Sequence, residues 1–503
     1  MTSKARCSAP IKQRFPLEAI HLDPALKPPL YRQLEEQLRQ IIWQGTLKTN
    51  DPLPSSRNLA STLNIARNTV ISAYEQLTVE GFIQARPGAP HRVAEGFPAP
   101  TLNKAKTSTK AAVEFIPKLS QRTNTLRQAS AFIGAQQSNP PPQPFRAHIP
   151  DYKEFPVKTW AQLYNRRLKH SSRFWQQAVH PCGYWPLRQA VADYLVMARG
   201  MRVAPEQIVI TAGVQQSFEL LAKTLIDPAD KVIFENPAYT PAAMVFELAG
   251  AKTAYVDIDN EGLKVATLPA SGAKLLYTTP ASQFPLGITQ SQSRRKALLA
   301  WATKSSTLIL EDDYNGEYRY RGRPLTTLYS MAAPGQVIYL GSFSKLLFPA
   351  LRLGYMVVPA ALIEPVANAR WLLDRHSPPL EQAVLADFIN DGHFLKHLRR
   401  MRVLYAQRQA VLITTLENEL AELVHVTPLD GGLHLTAELR STVKPEQFFT
   451  AAKNASVALS SVAQFSPQTT PQADRQIIFG YAPYTEKAMK LAAQALMRSY
   501  LKT

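Results

Sequence analysis

Lys345 stands in Gly341-Ser342-Phe343-Ser344-Lys345, directly after the apolar run Val337-Ile338-Tyr339-Leu340. A lysine at a strand end beside two hydroxyls and a glycine, once desolvated, can lose its proton and form a Schiff base with an aldehyde. Seven residues on, Arg352 offers a fork that could pair with a phosphate alongside Ser342 and Ser344. Other apolar runs end in equally suggestive residues. After the run at 307–310, a buried carboxylate at Asp312 could keep a pyridine nitrogen protonated and so maintain an electron sink, and the Tyr314 phenol could bond a ring oxygen. After 207–210, Thr211-Ala212-Gly213-Val214 is a small-residue turn opening a helix whose free amides suit a phosphate. After 232–234, Tyr239 could stack on a flat aromatic ring. Each feature has a plainer reading: a surface lysine, a helix cap at Asp312, a packing aromatic at Tyr239, an ordinary turn at Gly213. Four of them at the ends of four such runs are hard to explain by capping alone.

A second group lies near the N-terminus. Pro54-Ser55-Ser56-Arg57 opens a short helix with hydroxyls that can cap its amides, and Arg57 is placed to reach a phosphate. Ile65-Ala66-Arg67-Asn68-Thr69 opens the next helix, and its first turn puts two fork-shaped readers and a hydroxyl where a recognition helix meets base edges. The alternative is that both are ordinary capping turns of a small helical domain.

The elements that must position these residues follow from periodicity. Leu34, Leu38, Ile41 and Ile42 recur at helical spacing up to Gly45; Leu59 and Leu63 mark a second helix; Val70, Ala73, Tyr74 and Leu77 mark a third that ends at Gly81. Phe82-Ile83-Gln84-Ala85, a Pro87-Gly88 turn and His91-Arg92-Val93 then predict two short strands. The chain divides into a tail at 1–27, a three-helix unit with a wing at 28–95, a basic linker rich in Pro, Ser and Thr at 96–145, and a large domain at 146–503. In the large domain, helical stretches alternate with short apolar runs, so βαβ units and a mainly parallel sheet are expected, with ligands beyond the carboxyl ends of the strands.

Composition agrees with this division. The net charge of +19 favours a polyanionic partner, and residues 101–150 alone carry seven Lys and Arg against one acidic residue. Only Cys7 and Cys182 are present, so neither a disulfide framework nor a cysteine metal site is expected. No stretch reads as a membrane span or signal peptide, which predicts a cytoplasmic protein that does not engage membranes.

Two resemblances sharpen these expectations. Residues 28–94, with PLYRQLEEQLRQIIWQG, LPSSRNLASTLNIARNTVISAYEQLTVEGFI and ARPG, look like the winged helix-turn-helix of the GntR family. The likeness implies that Ser56, Arg57, Arg67, Asn68 and Thr69 contact double-stranded operator DNA and that Gly88 belongs to the wing, although Ala89-Pro90-His91-Arg92 replaces the usual glycine-containing turn there. The large domain resembles the fold type I aminotransferases, which hold pyridoxal 5'-phosphate. Together the two domains are similar to the MocR subfamily of GntR regulators, with further matches at FRAHIPDYKEFPVKTW, TPASQFPLG, GHFLKHLRRMR and GGLH. This resemblance implies that Lys345 forms the internal aldimine, Asp312 pairs with the pyridine nitrogen, Tyr314 bonds the 3'-oxygen, Tyr239 stacks, and Gly213, Val214, Ser342, Ser344 and Arg352 bind the phosphate. It also implies a homodimer in which the head of one chain docks against the large domain of the other.

Two departures bear on activity. Phe284 stands where aminotransferases usually have an asparagine before a proline, and the arginine that clamps a substrate carboxylate aligns with Ile478. Arg475, three residues earlier on a strand-like run, is expected to face solvent. Without a bidentate clamp an amino acid is poorly oriented. The expected function is therefore a transcriptional regulator that senses the cofactor or a small amine or amino-acid effector. The rival readings are a working aminotransferase with an ancillary head, and a non-specific DNA binder with an empty large domain.

Overall fold

The computed structural model describes residues 15–86, 89–95, 118–120, 122–129, 143–169, 179–322, 325–468 and 471–503. Gly88 and most of the stretch read as a linker lie outside the described residues. Contacts divide the chain into two units, Met1–Pro117 and Lys118–Thr503, so the division falls inside that stretch.

In the first unit, α1 (Leu30–Trp43), α2 (Ser56–Leu63) and α3 (Arg67–Val79) precede a hairpin of β1 (Ile83–Arg86) and β2 (Ala89–Val93). The predicted apolar faces are the core: Leu34, Leu38, Leu59, Val70, Ala73 and Leu77 are buried together. The turn between α2 and α3 reverses at Asn64, which is left-handed at φ 54°, a conformation asparagine tolerates better than most side chains. The hairpin pairs Ile83 with Val93, as the alternation of the two strands requires. One boundary differs from the sequence reading. Residues before 28 are not all tail: Ile20 is buried in the same core, and Gln37 and Gln33 clasp the backbone of His21 and Asp23. The reason is that Ile20 completes an apolar surface that three short helices leave open.

The second unit is built on an eight-stranded sheet. Its strands are β3 (Ile208–Thr211), β4 (Lys231–Asn236), β5 (Lys252–Asp259), β6 (Gly262–Leu263), β7 (Leu275–Thr278), β8 (Leu308–Asp312), β9 (Val337–Ser342) and β10 (Gly354–Val357), in the order β3-β10-β9-β8-β7-β4-β5-β6. The apolar runs at 207–210, 232–234, 275–277, 307–310 and 337–340 are β3, β4, β7, β8 and β9. They read as continuous apolar runs because helices cover both faces; Phe218 and Phe246, for example, pack on Phe234 and Tyr277. Among the strands from β4 to β9 the neighbours run parallel, apart from the short antiparallel β6, and β10 runs antiparallel between β9 and β3. This register sets Thr211, Gly354 and Ser342 in one row and Asp312 beside Leu340. The residues singled out for chemistry therefore leave the sheet at one end. A second, antiparallel sheet follows, of β11 (Val424–Thr427), β12 (His434–Leu439), β13 (Ser460–Ser461) and β14 (Gln476–Gly480), in the order β11-β12-β14-β13.

Candidate functional site

Asp312 ends β8 buried, and its Oδ2 accepts a hydrogen bond from the Tyr277 hydroxyl at 2.8 Å. Burial pushes its pKa up to about 7; the Tyr277 bond holds it down and the nearby charge of Glu235 adds to the rise. Lys345 lies just beyond β9, and its Nζ donates to the His148 carbonyl at 2.7 Å. Burial pushes the ammonium down to about 8, against the attraction of Asp312 and with a smaller push from Arg352. Both groups thus change charge close to neutrality.

Arg352 sits in a left-handed turn (φ 50°, ψ 40°) and donates to the Ala212 carbonyl at 3.0 Å. That brings its guanidinium over Gly213, where an added Cβ would stand 3.3 Å from Nη2. Gly213 itself has φ 94°, which side chains avoid, and precedes the helix Val214–Leu225 without a side-chain cap, leaving that helix start open to an anion. Ser342 is buried at the end of β9. The Ser344 hydroxyl and the Tyr314 hydroxyl are buried and have no hydrogen-bond partner among the described residues. Buried hydroxyls seldom stay unpartnered. Two of them beside a lysine of lowered pKa, a buried carboxylate and an arginine over a glycine turn fit pyridoxal 5'-phosphate, which carries a ring oxygen and a phosphate that could satisfy them. Of the plainer readings, the helix cap at Asp312 is excluded by its place on a strand, and the free surface lysine by the half-buried position of Lys345 and its bond to the His148 carbonyl.

Aromatic rings close one side. Phe284 meets Tyr239 edge-on at 5.4 Å, Tyr314 at 5.9 Å and Phe465 at 5.1 Å, and lies 4.9 Å from the His148 ring. Burial raises the Tyr239 phenol to about 12. Sequence reasoning missed Tyr277, Glu235, His148 and His434. Glu235 is buried behind Asp312, accepts from the hydroxyls of Thr278 and Thr279, and is raised above the usual carboxylate range by burial. Nothing local marks it, because its partners come from 43 and 44 residues away. The two histidines lie in segments already matched, FRAHIPDY and GGLH, where a lone histidine reads as packing.

The position that the resemblance aligns with a carboxylate clamp is apolar. Ile478 is fully buried on β14 among Leu286, Val462 and Ala473. Arg475 corrects an expectation: it ends a short helix, Pro471–Arg475, rather than lying on the strand, and it does not simply face solvent. It is partly buried, and its guanidinium donates to the carbonyls of Leu439 at 3.0 Å and Val443 at 3.3 Å, at and just beyond the end of β12.

In the head, Ser55 caps α2 by accepting from the Asn58 amide at 3.2 Å. Arg57, Arg67 and Asn68 are exposed and Ser56 and Thr69 half-buried, with the Arg67 Nε 3.4 Å from the Ser56 hydroxyl. The N-cap of α3 is Ala66, which supplies no side-chain cap, so Asn68 and Thr69 are not there to cap it. The structure brings Arg67 and Ser56 together at the start of two helices and leaves Arg67 and Asn68 facing outward.

Anchors of this kind at neighbouring strand ends, in a chain that also carries a winged helix-turn-helix, define a fold type I pyridoxal-phosphate domain joined to a DNA-binding head. Residues 149–496 match the family Aminotransferase class I and II, and residues 30–93 match the Bacterial regulatory proteins, gntR family. The chain is 34% identical over 94% of its length, and 94% of the other's, to the probable rhizopine catabolism regulatory protein MocR of Rhizobium meliloti. It is 30% identical to the HTH-type pyridoxine biosynthesis transcriptional regulator PdxR of Corynebacterium glutamicum, over 94% of this chain and 96% of that one. The large domain is similar to the α-aminoadipate aminotransferase LysN of Thermus thermophilus, with TM-score 0.68 and 26% identity over 76% of this chain and 97% of LysN. The chain belongs to the MocR-type regulators, in which a GntR head is joined to an aminotransferase class I and II domain. It is a pyridoxal-phosphate-binding, DNA-binding transcriptional regulator.

Proposed function

We propose that this regulator senses pyridoxal 5'-phosphate, or a small amine that competes with Lys345 for it, and passes the occupancy of the site to operator DNA. When bound, the cofactor supplies an aldehyde for the lysine and an electron-withdrawing ring. Lys345 meets the aldehyde as a free amine. Asp312 holds the proton of the ring nitrogen, Tyr314 bonds the 3'-oxygen and Tyr239 stacks. Arg352, Ser342, Ser344 and the amides of Gly213 and Val214 grip the phosphate. In the head, Arg67, Asn68 and Thr69 read bases while Ser56, Arg57 and the wing residue Gly88 hold the DNA backbone. The regulator works in the cytoplasm as a homodimer; among the described residues no helix is long and apolar enough to cross a membrane.

One observation carries the reading. Asp312 and Arg352 both act on the charge of Lys345, whereas the position the resemblance aligns with a carboxylate clamp is a buried isoleucine and the nearest arginine in sequence is tied to backbone carbonyls. That combination supports sensing over transamination. The names of the relatives, one concerned with pyridoxine biosynthesis and one with rhizopine catabolism, support control of vitamin B6 or of amine and amino-acid metabolism. The test is binding to DNA from upstream of the chain's own gene, with and without pyridoxal phosphate. Operator affinity is expected to change on adding the cofactor, and Lys345→Ala to abolish both the visible absorbance of the loaded protein and that change. Identical DNA binding in all cases would remove the sensing claim. Multiple turnovers at ordinary enzyme rates in a screen of amino donors with a keto acid would favour the aminotransferase reading instead.

A further inference from the structure

His148 is held at φ 64°, in the left-handed region that disfavours side chains, while its carbonyl receives the Lys345 ammonium. Local strain of this kind persists where the surrounding site fixes it, and it concentrates at ligand-binding positions. The His148 ring packs 4.4 Å from that of His434 and 4.9 Å from that of Phe284. His434 comes from the start of β12, and its Nε2 lies 2.7 Å from the Pro285 carbonyl. A carbonyl can only accept, so Nε2 carries the hydrogen and Nδ1 is left as a lone pair. That Nδ1 is buried and unpartnered, and so is Nε2 of His148. Neither ring is charged at neutral pH. Burial and the nearby lysine lower both, His434 to about 4, and His434 pushes His148 down further.

Buried polar atoms normally find partners. Two that lack them, on adjacent imidazoles beside Lys345, mark a place where a ligand can supply one. The lone pair on His434 asks for a hydrogen-bond donor. A carboxylate has none to give and would meet a lone pair with another, and the isoleucine at 478 provides no compensating cation. Beside the histidines, Phe284 packs edge-on against Tyr239 and Phe465, so the rings next to the two imidazoles offer them no cation.

We infer that His148 and His434 form the subsite for the second polar group of an amine ligand, and that this ligand is a primary amine bearing a hydroxyl or carboxamide rather than a carboxylate. The inference rests on the amine-sensing part of the function proposed above.

Four amines built on the same two-carbon skeleton separate the classes: 2-aminoethanol, glycinamide, ethylamine and glycine, each compared at the same concentration of neutral amine. The full chain loaded with pyridoxal phosphate is titrated with each, and both the visible absorbance of the cofactor and operator affinity are followed. Half-saturation by 2-aminoethanol and glycinamide is expected at about tenfold lower concentration than by ethylamine, the value of one buried neutral hydrogen bond, with glycine weakest. His148→Gly, which suits the left-handed backbone, and His434→Phe are each expected to bring 2-aminoethanol towards the level of ethylamine. Glycine binding as well as 2-aminoethanol, or a preference that survives both substitutions, overturns the inference; if either variant fails to fold, the ranking in the unaltered chain still decides. If no amine alters the absorbance while the cofactor still shifts operator affinity, this subsite is wrong and cofactor sensing stands. If the amine ranking holds while operator affinity never moves, the subsite stands and the sensing reading fails.

Discussion

The ends of β3, β8 and β9 and the middle of β14 treat charge in opposite ways. At the strand ends, Asp312, Lys345 and Arg352 are kept together, and burial brings the carboxylate and the ammonium towards neutrality. On β14, the facing position is an isoleucine sealed in an apolar cluster, and Arg475 is engaged elsewhere. On the function proposed above, the grip on the cofactor and the orientation of an amino acid's carboxylate are separable. One can be kept while the other is given up, because they sit on different sheets and share no side chain.

The largest effect that bears on this contrast is expected from Ile478→Arg. If the clamp had been lost by one substitution, restoring the arginine would restore it. The site is instead packed with Leu286, Val462 and Ala473, so an unpaired guanidinium there should destabilise the chain by about 3 kcal/mol or more, read from urea unfolding. A stable variant that gains affinity for amino acids over plain amines would break the contrast.

Next comes the pH dependence of cofactor uptake. Lys345 reacts with an aldehyde only as the free amine, and its pKa is lowered from 10.5 to about 8. The rate of uptake should therefore climb as pH rises through about 8 and level off above it. Near neutrality, the free-amine fraction should be roughly two orders of magnitude larger than for a solvated lysine. A midpoint near that of an ordinary lysine in stopped-flow absorbance would show that the strand ends do not desolvate it. The smallest effect is expected from Gly213→Ala. Its Cβ would press on the Arg352 guanidinium at a backbone angle that side chains avoid, and cofactor affinity by absorbance titration should weaken by about tenfold. Unchanged affinity would take Arg352 out of the phosphate grip.

What could be read from the sequence follows the same division. Strands β3, β4, β7, β8 and β9 were visible because strands covered by helices are uniformly apolar, and the residues after them inherit a position from the topology, whereas β10, inserted between β3 and β9, was not. Strand β5 was not visible. It is half-buried, and its apolar residues Ala254-Tyr255-Val256 are hemmed by Lys252, Thr253, Asp257 and Asp259, and only Val256 of them is buried. The second sheet was largely illegible, since its strands pair across long separations, as Leu435 does with Phe479. Arg475 was misplaced for a related reason: the apolar run was recognised, but its first residue is Gln476, and helical turns before a strand leave no periodic mark in five residues. The supports of Asp312 could not be found, since Tyr277 reads as a core aromatic and becomes a donor only once β7 and β8 lie side by side. In the head, by contrast, contacts are local: helical periodicity placed α1, α2 and α3, and the turn signals placed the hairpin, while the helical turn Leu17–Ala19 was missed.

The packing of Ile20 against the three helices sets a limit on how the head can be studied alone. A fragment begun at residue 28 would strip away Ile20 with its neighbours Leu17 and Leu22, and with them the backbone groups clasped by Gln33 and Gln37. It would expose aliphatic surface worth about 1.5–3 kcal/mol for Ile20 alone. So small a domain has little stability in reserve, and an excised reader of DNA should start at or before Phe15 if it is to behave as it does in the whole chain.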